Sequence, residues 1–295
     1  MKFLLVAVNA KYIHSNPAVY SLKRFAGEYT DAVEIAEYTI NNRMEDILED
    51  IYRRKPDAIG FSCYIWNIGM VEKLMGELHK LLPKLPVFLG GPEVTYDADK
   101  LLRKYPYLTG IFIGEGEATF AQVVKYYVKK NPESLEDIPG LMLRSGMTPA
   151  RKPLNLTDVP FLYDDMAPFT NRIIYYETQR GCPFRCSYCL SSIDKTVRFR
   201  DIEVVKRELA FFLEKKVKQV KFVDRPLTAT TTMPWLSGSI CMNMTMVSLT
   251  SILRLREIFS GKMRLLWWQR CVPVWYSLKS ACSPPTPIRC GKSAV

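Results

Sequence analysis

The chain has 295 residues, 48% of them hydrophobic and 24% charged, and a formal net charge of +11. That length accommodates two domains with cores of their own, and no stretch approaches the roughly 18–20 apolar residues of a membrane span. The charge does not point to nucleic acid: from Pro226 onward eight Lys/Arg face a single acid, Glu257, so +7 of the +11 belongs to that stretch, without the acidic counterweight expected of a basic binding face.

The first apolar run, Phe3 to Val8, is too short for an export signal and is cut off by Lys11, so it reads as a buried strand of a parallel sheet. Further strand candidates follow at Val33–Tyr38, Ala58–Tyr64, Val87–Leu89 and Gly110–Ile113. Between them lie helix patterns. Met44 to Arg54 places Met44, Ile47, Leu48 and Ile51 on one face, with Asn42 as expected N-cap, Glu45 three residues on, and Arg53, Arg54 and Lys55 at the negative end of the dipole. The next repeats the pattern with Ile68, Val71, Leu74, Met75, Leu78 and Leu81. Short hydrophobic strands alternating with helices predict an α/β fold, a doubly wound parallel sheet over residues 1–135. His79, near the end of its helix, reads as a surface or half-buried structural residue, and Cys63 as a small core residue.

In such a sheet ligands bind beyond the carboxyl ends of the strands. Those ends read "VNAKYIHSNPA", "FSCYIWN", "LGGPEVTYDA" and "IGEGEATF", four polar loops containing Gly or Asn, the last two opened by Gly90, Gly91, Gly114 and Gly116 to close backbone approach. Loop position alone nominates Asn9, Tyr12, His14, Ser62, Tyr64, Gly90, Gly91, Glu115 and Gly116 as lining for a bulky polar cofactor.

Residues 136–171 are Pro-rich with one short "GLML" strand, and read as a connecting segment. A strand candidate, Arg172 to Arg180, then runs into "RGCPFRCSYCL", which puts Cys182, Cys186 and Cys189 within eight positions. A helix candidate, Ile202 to Glu214, and a strand, Val217 to Asp224, complete one βα unit of a larger parallel barrel or sheet. Clustered cysteines in a chain read as cytoplasmic suggest metal rather than disulfide. With no further Cys or His nearby, either a remote ligand completes a zinc-type site or the fourth position stays open.

CxxxCxxC directly after a strand, with Tyr188 before the last Cys, resembles the radical S-adenosylmethionine superfamily. The resemblance extends over residues 1–225 to its subgroup with an N-terminal cobalamin-binding domain. It implies a 4Fe–4S cluster on Cys182, Cys186 and Cys189 with one open iron that S-adenosylmethionine chelates, and reductive cleavage to a 5′-deoxyadenosyl radical. It implies Tyr188 against the adenine, Asp224 near the amino group of S-adenosylmethionine, and cobalamin on the first domain. A small-molecule substrate and a reductant such as flavodoxin or ferredoxin follow as partners, with no nucleic acid and no membrane. The DxHxxG motif of the best-known cobalamin domains is absent; His14 lies in the first loop without that frame. The alternative is a non-catalytic corrinoid- or metal-binding module, or an inactive fragment.

Residues 226–295 hold four of the five Trp and four of the eight Cys and show neither helical nor alternating periodicity. Back-translated one nucleotide out of register, the stretch can be read as text containing "LEIGVQS", similar to a barrel strand of the family. The expectation is an out-of-frame, disordered tail that leaves the barrel begun in 172–225 incomplete and its catalysis impaired.

Overall fold

The computed structural model describes residues 1–129, 134–184, 186–224 and 247–248. Five parallel strands, β1 (Phe3–Asn9), β2 (Val33–Thr39), β3 (Ala58–Ser62), β4 (Val87–Gly90) and β5 (Leu108–Phe112), lie in the order 2-1-3-4-5. Helices α1 (Pro17–Phe25), α2 (Met44–Arg54), α3 (Ile68–Leu81), α4 (Pro92–Thr95), α5 (Ala98–Lys104) and α6 (Glu117–Lys129) alternate with them. Every residue of β1 is buried, as expected of a central strand covered on both faces. Leu4, Val6 and Val8 pack with Ile47, Ile51, Val71 and Leu74 on one side. Phe3, Leu5 and Ala7 pack with Val19, Phe120 and Val123 on the other. This alternation divides the helices between two layers, the doubly wound arrangement that the sequence predicts.

Local details depart from expectation where hydrogen bonding decides. Asn42 does not cap α2; its side-chain oxygen accepts from the Thr39 N–H and hydroxyl at 2.7 and 2.9 Å, closing the turn after β2, and Arg43 takes the cap position without a side-chain bond. β3 ends at Ser62 because Tyr64 and Asn67 turn the chain into α3. His79 is half-buried and stacks on Tyr107, centroids 4.4 Å apart. Cys63 is fully buried in the core, and burial pushes its thiol up to about 12.

The sheet continues past residue 135. β6 (Leu141–Leu143) pairs antiparallel with β5, and β7 (Gly146–Met147) with β6; Ile138, Leu141 and Leu143 join the core of the α1/α6 layer. The Pro-rich segment after it also contributes core. Tyr163 and Phe169 bury against Ile174, Tyr176, Leu209, Phe212 and Val220.

The predicted strand 172–180 is split into β8 (Ile174–Tyr176) and β9 (Gln179–Arg180), and β9 pairs antiparallel with β10 (Arg198–Phe199). Helix α7 (Ile202–Glu214) is capped by Asp201, whose carboxylate accepts from the Glu203 and Val204 N–H groups. It leads to β11 (Gln219–Phe222), parallel to β8, so β8–α7–β11 is the expected crossover unit. The edge of β11 carries β12 (Val247–Ser248), from the stretch expected to be disordered, opposite Gln219 and Val220. Residues 225–246 and 249–295, including Trp235 and Trp268, lie outside the described residues.

A carboxylate joins the two parts. Glu37, at the end of β2, accepts from Asn9 Nδ2 (2.9 Å), the Asn16 N–H (3.1 Å), the Tyr20 hydroxyl (2.6 Å) and Arg172, and its side chain is 6% exposed. Replacing Glu37 by Ala leaves the mostly enclosed Arg172 guanidinium without its carboxylate partner, a loss of about 3 kcal/mol. Urea denaturation of Glu37→Ala is expected to show that loss, with Glu37→Gln falling between it and wild type.

Candidate functional site

The carboxyl ends of β1, β3, β4 and β5 meet at one edge, and between β1 and β3 the chain order reverses, which opens a crevice in sheets of this topology. Buried amides set the loops there. Asn16 Nδ2 donates to Ser62 Oγ at 2.8 Å. Asn67 Nδ2 donates to the carbonyls of Val8 and Ser62 at 3.0 and 2.9 Å, while its Oδ1 accepts from the Tyr64 N–H. Buried amides at these positions must find partners, and these bonds hold the β1 and β3 loops at a fixed separation. Gly91, with φ of +119°, lets the β4 end lie on the β3 end; a Cβ there would collide with the Cys63 carbonyl.

Beneath this edge runs a largely apolar cleft of about 150 Å³ lined by Leu5, Gly60, Ser62, Tyr64, Gly90, Gly91, Phe112, Gly114 and Gly116 among others. Of the residues nominated from the sequence, Ser62, Tyr64, Gly90, Gly91 and Gly116 come together here. Asn9 is consumed by Glu37 and the His14 carbonyl. Tyr12 is exposed, beneath the Arg172 guanidinium at 5.1 Å. His14 turns to the junction, its Nδ1 2.6 Å from the Tyr175 hydroxyl, and desolvation followed by the charges of Lys221 and Lys11 lowers its pKa. Sequence reading missed Asn16, Glu37, Asn67 and Glu117, although Asn16, Asn67 and Glu117 stand in the very loops it singled out. It also missed Trp66, half-exposed, stacked on Tyr64 at 4.5 Å and donating to the Val8 carbonyl.

Gly114, Gly116 and Glu117 also wall a second cavity of about 360 Å³, closed opposite by Val159–Tyr163, Glu177 and Arg180. Glu115, the remaining nominee, lines this one. The turn from β5 into α6 therefore separates the glycine-lined cleft from the β8–α7–β11 unit.

The cysteines lie on the loop between β9 and β10. Gly181, with φ of +91°, makes the first bend, where any Cβ would strike the Thr196 carbonyl. The Cys182 N–H donates to the Asp194 carbonyl at 2.9 Å, and the Cys189 N–H to the Cys186 carbonyl at 3.1 Å. None of the three forms a disulfide among the described residues; Cys182 is buried and the other two half-buried. Three soft donors on one short loop suit an iron–sulfur cluster chemically, while among the described residues no three His, Cys, Asp or Glu side chains stand together as a preformed metal set. Tyr188 is 90% exposed.

Charged groups hold this loop. Arg180 reaches Glu177 (2.9 Å), Glu115 (3.3 Å) and Glu117 (2.5 Å); burial opposes its charge, and the carboxylates more than restore it. Arg198 donates to Glu115 (2.6 Å), Asp194 (2.9 Å) and the Leu154 carbonyl (2.7 Å). Burial works against a charged Glu115, yet hydrogen bonds from Arg198 and the Leu154 N–H, with the charges of Arg180 and Arg198, hold its carboxyl below the usual range. Asp224 accepts from the Thr178 N–H (2.7 Å), the Thr178 hydroxyl (2.6 Å) and the Gln179 N–H (3.1 Å), fixing the bend between β8 and β9.

Residues 4–124 match the B12 binding domain family. The chain is 26% identical over 188 residues to the cobalamin-dependent radical SAM methyltransferase TokK of Streptomyces tokunonensis, covering 58% of this chain and 27% of that protein. It is 24% identical over 229 residues to the anaerobic magnesium-protoporphyrin IX monomethyl ester cyclase of Rubrivivax gelatinosus, covering 68% and 41%. The fold resembles that of the radical S-adenosylmethionine methyltransferase TsrM of Kitasatospora setae, solved with cobalamin and a [4Fe-4S] cluster, with a TM-score of 0.57 and 16% identity over 81% of this chain and 52% of that one. The chain thus spans well under half the length of these two curated relatives. Among the described residues no helix is long and apolar enough to cross a membrane.

Asp224 carries a pH prediction. Burial raises its pKa against the three hydrogen bonds that favour the carboxylate. Its contribution to stability is therefore full below the ordinary Asp range and lost as pH rises through the raised value. Asp224→Asn, which keeps an oxygen for the amides, is expected to flatten that decline in thermal unfolding followed from pH 3.5 upward. Asp224→Ala, which orphans three donors, is expected to cost about 2 kcal/mol or more at every pH.

Proposed function

We propose that this chain, whose residues 4–124 match the B12 binding domain family, works as a cobalamin-dependent radical S-adenosylmethionine protein. One observation carries the reading: the glycine-lined cleft and the second cavity share a wall, the Gly114–Glu117 turn, and Arg180, which leads into the cysteine loop, lines that second cavity. A corrinoid held in the cleft would then lie one turn away from the residue that leads into the cysteine loop.

The fit to each group rests on this chain's residues. Gly60, Gly90 and Gly91 leave a channel along the sheet that larger side chains would fill, and Gly91 tolerates no Cβ at all, which suits a bulky ligand pressed against backbone. No imidazole is free at that edge among the described residues, since His14 is bonded to Tyr175, so cobalamin would bind without a histidine to its metal. Cys182, Cys186 and Cys189 would hold the cluster, which when loaded supplies reductive cleavage of S-adenosylmethionine at an open iron.

The protein's share is positioning. Asp224 fixes the strand end that delivers the cysteines, and Tyr188 offers an exposed ring for stacking on adenine. The Val159–Tyr163 wall keeps the shared cavity largely apolar. TokK and TsrM are named as methyltransferases, and methyl transfer to a small organic substrate is the reaction class we assign, with an external one-electron reductant of the flavodoxin or ferredoxin type.

Anaerobic reconstitution is expected to load about four irons and four sulfides per chain, and Cys186→Ala to abolish the cluster's absorbance. Stoichiometric zinc without that absorbance would overturn the cluster. Release of 5′-deoxyadenosine from S-adenosylmethionine under a strong reductant separates an enzyme from a non-catalytic binding module. For the cleft, Gly90→Val introduces a side chain at the cavity wall, where a Cβ already meets Phe112 at 3.4 Å. It is expected to weaken hydroxocobalamin binding at least tenfold, a change on the order of 1.4 kcal/mol, in absorbance titrations. Unchanged affinity in a folded Gly90→Val protein would move the corrinoid elsewhere.

A further inference from the structure

The loop bearing the three cysteines has a neck, and the neck is fastened to the first domain by charge. β9 and β10 are two residues each, pairing Gln179 with Phe199 and Arg180 with Arg198. Two such short strands cannot hold a register unaided. Both arginines of the Arg180/Arg198 pair reach the same carboxylate, Glu115, at 3.3 and 2.6 Å. Arg180 adds Glu117 at 2.5 Å, and Glu117 is itself a wall of the glycine-lined cleft. Arg198 adds Asp194, whose backbone carbonyl accepts the Cys182 N–H.

A continuous set of contacts thus runs from the cleft through Glu117 and Glu115 to Arg180 and Arg198, and on to the first cysteine. These side chains are mostly enclosed, Glu117 being 8% and Arg180 18% exposed, so solvent screens the contacts weakly. Their geometry is specific as well: Arg180 turns a separate nitrogen to each of its three carboxylates, and Arg198 sets both terminal nitrogens of its fork on Glu115.

We infer that Arg180 and Arg198 are positioning residues that couple the two cofactor sites: filling the cleft orders the cysteine loop, and a loaded loop tightens the cleft. This rests on the proposed function and goes beyond it, because two cofactor sites on one chain need not sense each other. Linkage makes the effect reciprocal, with couplings commonly five- to 150-fold. The Gly114–Glu117 turn is the element both sites bias. A ligand seated against Gly114 and Gly116 fixes the turn, and with it the carboxylates that grip the neck.

The experiment uses the full chain and hydroxocobalamin, titrated anaerobically into protein with the reconstituted cluster and into protein prepared without iron and sulfide. Wild type is expected to bind about tenfold more tightly with the cluster present. Arg180→Lys keeps the charge but loses the fork, and is expected to bring that ratio to about one while both cofactors still bind. Glu115→Gln provides the same test from the other side of the neck. Equal affinity in the two wild-type preparations overturns the inference, as does a ratio unchanged in both variants.

A measurement on wild type keeps the idea exposed even where variants fail to fold. Hydroxocobalamin added to iron-free protein is expected to slow amide exchange at Cys182 and Cys189. Protection confined to residues 4–124 would refute the coupling and leave the proposed function standing. Absence of hydroxocobalamin binding in either preparation would bring down the corrinoid reading itself, and the coupling with it.

Discussion

A parallel sheet covered by helices on both faces can offer chemistry only where its strands end. β1 is buried along its whole length, so side chains along its faces are committed to packing and cannot meet a ligand. The strand ends carry what is left: backbone groups that have finished pairing, loops that must satisfy their own polar atoms, and glycines that let backbone approach backbone. In this protein the order 2-1-3-4-5 gathers four such ends at one edge, and every functional feature of the first domain follows from that gathering.

The edge is stiff because its polar atoms are already satisfied. Asn9, Asn16 and Asn67 are buried, and each spends its amide on a neighbouring loop or on Glu37. A buried amide without a partner costs more than the hydrogen bond it would have made, so these loops have few alternative arrangements. Glu37 extends the same logic across the junction, accepting from Asn9 and Asn16 at the two ends of the β1–α1 loop, from Tyr20 and from Arg172. The second unit is not simply tethered by chain; its entry strand is held by a carboxylate of the first.

Much of this was legible in the sequence. Helices α2 and α3 begin and end where their apolar spacing predicts, because an amphipathic stripe against a sheet leaves little freedom. The cysteine motif and the glycine-bearing loops were equally plain. The misses share a cause. Beyond the expected GLML strand, which forms as β6, Pro-rich residues 136–171 have no periodicity, yet Tyr163 and Phe169 are buried, since a segment strapped across a fold is held by individual anchors rather than by a repeating face. Tyr12 and His14 share a loop with Asn9, and sequence could not tell that the loop folds back on Ile173 and Tyr175. Arg180 and Arg198 are eighteen residues apart in the numbering and Glu115 much farther, and no local pattern announces that the three will meet.

The chemistry of that meeting bears on why the neck is charged at all. An apolar neck of similar size would be as stable or more so, because ionic groups lose hydration on burial. What an apolar contact lacks is direction. A leucine sliding one residue along a neighbour still finds apolar surface, whereas a guanidinium displaced from Glu115 gives up a directed ionic contact that apolar surface cannot replace. With only two residues in each of β9 and β10 to define the pairing, that penalty supplies the register that the backbone cannot. The loop beyond then begins from a fixed bend at Gly181, where no other residue avoids Thr196, and the cysteines inherit their orientation from it. Specificity bought with charge is hardest to justify in a core and easiest at a neck of two-residue strands whose register little else fixes.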